Sequence, residues 1–172
     1  MATKYFSLLL VLVMCLSCKN TQEQNTEPIT DEVVEQEPAK VAIPTLDHVE
    51  FALDEKTERV IENWQEYNEL ADVVANVKEG DLSYFKDNDS LIDTLFKNLK
   101  AKSPDTINTP SVAARMVALE TKFRKLGSFS NLSTTNPEEL DATIKEFLLS
   151  FSHLNLQMNK KMEDDSQNIV KP

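Results

Sequence analysis

Glycine is nearly missing from this chain: Gly80 and Gly127 are the only two among 172 residues. All-β domains need turn glycines and phosphate-cradling loops need clustered ones, so a β-sandwich, a dinucleotide-binding fold and a P-loop are excluded. Cysteine is as scarce, with Cys15 and Cys18 both near the start. Once a leader ending at Ser17 is removed and Cys18 is acylated, no free cysteine remains for an internal disulfide, a thiol nucleophile or a cysteine metal cluster. The two histidines, His48 and His153, have no glutamate three residues before them, which removes the Glu-x-x-His ligand pairs of di-iron bundles. There is likewise no His-Glu-x-x-His and no Gly-x-Ser-x-Gly. Basic residues are in deficit, 18 Lys and Arg against 29 Asp and Glu, a net charge of -11. Such acidity opposes nucleic-acid binding, because phosphates demand a basic face.

What is present begins with the leader. Lys4 supplies a positive charge and Tyr5 to Leu16 an apolar core, the pattern of a secretory signal. A bilayer-spanning helix needs roughly 20 apolar residues, and Ser17, Lys19 and Asn20 interrupt this run well before that. Leu16-Ser17-Cys18 places a small residue before cysteine and resembles the lipobox of bacterial lipoproteins, whose cysteine becomes the acylated first residue. Cys15 follows the bulkier Met14, so Cys18 is the expected lipidation site. Removing residues 1–17 takes away Lys4 and moves the net charge from -11 to -12. Lys19 after Cys18 resembles the enterobacterial sorting pattern for the outer membrane.

Residues 18–44 carry the lipidated cysteine and a segment rich in Glu, Gln, Asn and Thr, punctuated by Pro28, Pro38 and Pro44. That composition buries too little apolar surface to offset its ordering entropy, so a disordered acidic tether is expected. A folded domain is expected over 45–163, followed by a frayed tail over 164–172. Apolar residues at spacings of three and four predict four helices, near 54–79, 82–102, 110–126 and 137–162. The fold class is therefore all-α, an antiparallel helical bundle. In the first helix Val60, Trp64, Tyr67, Ala71, Val74 and Val77 form the stripe, Asp54 or Thr57 offers a cap, and Gly80 ends it. Thr109-Pro110 opens the third helix and Gly127 sits where a left-handed cap would close it. Asn136-Pro137-Glu138-Glu139 opens the fourth.

Candidate sites are few. Asp87-Asn88-Asp89-Ser90 resembles the start of a calcium loop but lacks the glycine and closing glutamate of an EF-hand, so no metal and no cofactor is expected. Trp64 and Tyr67 suit a core anchor better than a ligand-stacking pair. Asp105-Thr106-Ile107 resembles the Asp-(Ser/Thr)-aliphatic O-glycosylation motif of the Bacteroidota, which makes Thr106 in its loop a candidate acceptor. The main charge feature is a division between helices: 47–79 nets -7, whereas 110–127 nets +3. Glu55, Glu58, Glu62, Glu66 and Glu69, spaced by three and four, are expected to form an exposed acidic stripe on one continuous helix. Read functionally, that stripe is a docking strip for a basic envelope protein.

Glu62-Asn63-Trp64-Gln65-Glu66-Tyr67-Asn68-Glu69-Leu70 resembles the first-helix block of uncharacterised helical lipoproteins of flavobacteria. Thr109-Pro110 through Arg115, then Leu119-Glu120, is similar to a second block of that group. The resemblance spans Val60 to Met158, departs around Gly80 to Asp87, and implies a helical lipoprotein without implying an activity. Together these observations lead to the expectation of a non-enzymatic, membrane-anchored envelope protein that serves as an interaction or structural module. The alternative is a small-ligand or metal carrier using the bundle interior.

Overall fold

A computed structural model describes residues 50–86 and 88–167. Residues 1–49, which hold the expected leader, Cys18 and the expected tether, and residues 168–172 lie outside the described residues. Among the described residues there are five α-helices and no strand: α1 Glu55–Ile61, α2 Gln65–Lys78, α3 Asp89–Ala101, α4 Pro110–Asn131 and α5 Pro137–Ser166. The all-α helical bundle expected from periodicity is the fold. None of these helices is long and apolar enough to cross a membrane.

The helix starts follow local chemistry. Asp54 caps α1 through Oδ1, which accepts from the Thr57 N–H at 2.7 Å. Thr109 caps α4 and Asn136 caps α5, each ahead of a first-turn proline whose missing N–H costs nothing there. Gly80, at φ 86°, closes α2 in the left-handed conformation that a side chain resists.

Four boundaries differ from expectation. The first helix is broken at 62–64: Trp64 leaves helical geometry at φ -86°, ψ 86°, and its N–H returns to the Ile61 carbonyl. The break lets Ile61, Trp64 and Tyr67 all reach the interior while α1 lies against α5. The second helix begins at Asp89 rather than 82. Asp81 accepts from the Ser83 N–H in a side-chain turn, and a 3₁₀ turn over Ser83–Phe85 aims Phe85 into the core. Gly127 is not a cap, since α4 continues to Asn131. A Cβ built on Gly127 would stand 3.3 Å from Phe85 Cδ1, so this glycine serves the close approach of the 3₁₀ turn to α4. The last helix runs on to Ser166, past its expected end at 162.

The pair α4 and α5 forms the backbone of the bundle, with α3 and the 3₁₀ turn on α4, α2 against α3 and α5, and α1 on α5. At its centre Phe123 meets Phe85 at 4.8 Å between ring centroids, Phe96 at 5.1 Å and Phe147 at 5.4 Å. All four rings are fully buried and mostly edge-on, the arrangement that aromatic quadrupoles favour.

Candidate interaction surface and the strap seam

The acidic edge is shorter than its spacing implies, because the break places its members on two helices. Glu55, Glu58, Glu62 and Glu69 are exposed. Glu55 has Arg59 one turn away at 3.7 Å, and Glu69 accepts from the Tyr84 hydroxyl at 3.2 Å. Glu58 and Glu62 have no cationic partner among the described residues. Glu66 departs from the expected stripe: it is buried and paired with Lys102 at the end of α3. The Lys102 hydrogen bond holds its carboxyl below the usual range against the opposing effect of burial. Helix spacing put Glu66 outside, but it lies one and two turns before Leu70 and Val73 on the buried face of α2, where Lys102 pairs it.

Three of the four α4 cations, Lys122, Arg124 and Lys125, are committed elsewhere. Lys122 and Lys125 both donate to Glu146 on α5 at 3.0 Å. Arg124 bridges Asp93 on α3, at 2.6 Å, and Glu120 within α4, at 2.7 Å. Burial alone would raise the Glu120 carboxyl, but hydrogen bonds from Lys100 and Arg124 carry it below the usual value. None of these pairs reaches Glu58 or Glu62, so the opposite charges of the two regions are not spent on each other.

Trp64 and Tyr67 belong to the core, stacked at 5.6 Å, and Tyr67 stacks further on Phe151 at 5.7 Å. Burial drives the Tyr67 hydroxyl far above its ordinary ionisation range, although it donates to Asn155 Oδ1 at 2.7 Å. The Trp64 indole N–H is buried and finds no acceptor among the described residues.

Asn155 belongs to a seam that periodicity did not reveal. An extended strap, residues 51–54, runs along α5 and is held through its backbone. Phe51 N–H donates to Ser152 Oγ at 2.7 Å, and Asn155 Nδ2 donates to the Phe51 carbonyl at 3.2 Å. Asn159 Nδ2 donates to the Ala52 carbonyl at 2.8 Å, while its Oδ1 accepts from the Asp54 N–H at 3.0 Å. The register is geometric: seven helical residues rise about 10.5 Å, and three extended steps cover about 10 Å. Phe51 and Leu53 turn partly inward and Ala52 and Asp54 outward, as extended backbone requires. Glu50, at the strap's head, pairs with Lys78 at the end of α2. The available signal was Asn155 and Asn159 one turn apart on an otherwise apolar face beside Leu154 and Met158.

Open clefts lie on the surface. One of about 290 Å³ between α4 and α5 has Arg115, Lys122, Glu146 and His153 on its walls. Another, about 560 Å³, lies between α3 and α4 beside Arg124 and Asn131. Among the described residues no three potential metal ligands converge. Thr106 is exposed in the turn between α3 and α4, which Ile107 anchors by full burial. Searches of protein-family models, of curated proteins and of solved structures find no match to this chain.

Proposed function

We propose that this chain is a lipoprotein of a bacterial envelope, anchored through Cys18 at the outer membrane, whose helical domain docks a basic protein through the α1–α2 edge. It acts without catalysis. The observation that carries this reading is the unspent acidic charge: Glu58 and Glu62 are exposed and have no cationic partner among the described residues, while Lys122, Arg124 and Lys125 of α4 are held by Glu146, Glu120 and Asp93. A surface of one sign steers an oppositely charged partner and weakens with salt, because charges are screened over about 8 Å at physiological ionic strength. The carrier alternative is disfavoured by the interior, where the Phe85, Phe96, Phe123 and Phe147 rings occupy the space a bundle-bound ligand would need.

The test combines Glu58→Lys, Glu62→Lys and Glu69→Lys in the tagged full-length chain, leaving Glu66 to its ion pair. Crosslinking in the native cells should capture a basic partner with the wild type and lose it with the triple reversal, at an unchanged melting temperature. Equal capture by both proteins overturns the docking edge. Separately, Cys18→Ser should move the protein from the membrane to the soluble fraction, and a variant that stays membrane-bound overturns the anchor.

A further inference from the structure

The break between α1 and α2 contains neither proline nor glycine, only Glu62, Asn63 and Trp64. Glu62 already has helical angles, φ -48° and ψ -42°, and the departure lies at Trp64 with ψ 86°. The apolar period runs through it without a phase shift, from Val60 to Trp64, Tyr67, Ala71 and Val74. Sequence therefore permits one helix over 55–78, roughly 36 Å long. The bent form also buries the Trp64 indole N–H without an acceptor among the described residues, an unfavourable feature located at the hinge itself.

What holds the bent form is α5. The strap is bound by Ser152, Asn155 and Asn159 through its main chain, and α1 adds buried Thr57 and Ile61. Those contacts require that the segment be present on α5, not that it come from the same chain.

We propose that the segment from Glu50 to Ile61 exchanges between two copies of this chain: Trp64 straightens, α1 and α2 fuse, and each strap docks on the α5 seam of the other copy. Every strap contact is then remade between chains about a two-fold axis, a closed arrangement that consumes both seams and leaves none for a third copy. The changes confined to the hinge are new helical hydrogen bonds across 62–64 and the release of the Trp64 ring from its bent setting. Straightening also brings Glu58, Glu62 and Glu66 to spacings of four, a like-charge penalty that favours the bent monomer at low salt.

The ion pair between Glu50 and Lys78 reports which chain supplies the strap. Full-length protein in detergent micelles, unlabelled and ¹⁵N-labelled in equal amounts, is co-refolded at high concentration, and dimer and monomer are separated by size. A carbodiimide then joins Glu50 to Lys78. In the exchanged dimer about half of these crosslinks carry one light and one heavy peptide, as random pairing of two reciprocal copies requires. Gln65→Pro is the discriminating variant. Gln65 is exposed at the first position of α2, where proline is accepted after a residue outside helical geometry such as Trp64, but proline inside a fused helix is not. This variant should remain folded and monomeric and lose the mixed crosslinks. Crosslinks of one isotope only in the wild-type dimer, a wild type that stays monomeric at every concentration, or mixed crosslinks that survive Gln65→Pro would each overturn the proposal.

Discussion

Asn155→Ala tests whether the polar seam or the apolar core fixes the strap. Asn155 is 5% exposed and satisfies two groups, accepting from the Tyr67 hydroxyl and donating to the Phe51 carbonyl. Each lost hydrogen bond costs about 1 kcal/mol net, and leaving the buried Tyr67 hydroxyl unpaired adds about 1–2 kcal/mol. Alanine returns roughly 0.5 kcal/mol because it is the better helix former. The expected loss is therefore about 2–4 kcal/mol, and at roughly 4 °C per kcal/mol for a domain of this size the midpoint should fall about 8–16 °C. Tyr67→Phe removes only the one bond and should cost about 1–2 kcal/mol. In the double variant the shared hydrogen bond is lost once and the hydroxyl that Asn155→Ala orphans is itself gone, so the losses should fall short of additivity by about 2–3 kcal/mol. Urea titrations followed by circular dichroism, with the slope held constant, measure all four corners of the cycle. Strict additivity, or a loss under about 0.5 kcal/mol for Asn155→Ala, would refute the seam as an energetic feature.

Three further outcomes follow from the same structure. Gly127→Ala should change stability by less than about 1 kcal/mol, because the helix-propensity gain is offset by displacing the fully buried Phe85 ring, whereas Gly127→Leu should cost about 2–3 kcal/mol by overpacking; a leucine variant that melts like the wild type would contradict the close approach. Stability should fall at both ends of the pH scale. The Asp54, Glu66, Glu120 and Glu146 carboxyls are held below their ordinary values, so their contribution is complete above the unfolded carboxylate range and is lost as pH falls through the folded values. Tyr84 is pushed up to about 12 by burial and by the neighbouring Glu69 carboxylate, so the folded state keeps its proton while the unfolded state releases it from about pH 10 upward, and stability declines across that window. Thermal melts from acid to alkaline pH check both edges. Chelation should leave the melting temperature unchanged, since no three potential ligands converge among the described residues.

How far the sequence could be read depends on which information is local. Thr109-Pro110 and Asn136-Pro137 announce helix starts because capping needs only neighbouring residues, and both stand where expected. Gly80 was legible for the same reason. Gly127 was not, because its role is set by Phe85, a residue far away in the chain, and a buried glycine at a close approach has the same local signature as a cap. The break at Trp64 was hidden because apolar spacing continues across it, and only the position of α5 makes bending favourable. Glu66 was missed because its partner, Lys102, stands at the end of α3, and a glutamate at the margin of an apolar stripe carries no local sign of such a pair. The strap escaped periodicity altogether, since its bonds run from side chains of α5 to main-chain groups about a hundred residues earlier, and backbone acceptors carry no residue code.

The direction of the strap has a mechanical consequence. Residues 51 to 54 run parallel to α5, from Ser152 towards Asn159, and the chain arriving from the N-terminus joins them at Glu50. A pull along the strap towards that end loads the bonds at Phe51, Ala52 and Asp54 together, in shear, instead of peeling them open one after another. The attachment is thus mechanically strongest along the one line in which traction on the preceding chain straightens the strap, and weakest against a force that lifts it sideways from the helix.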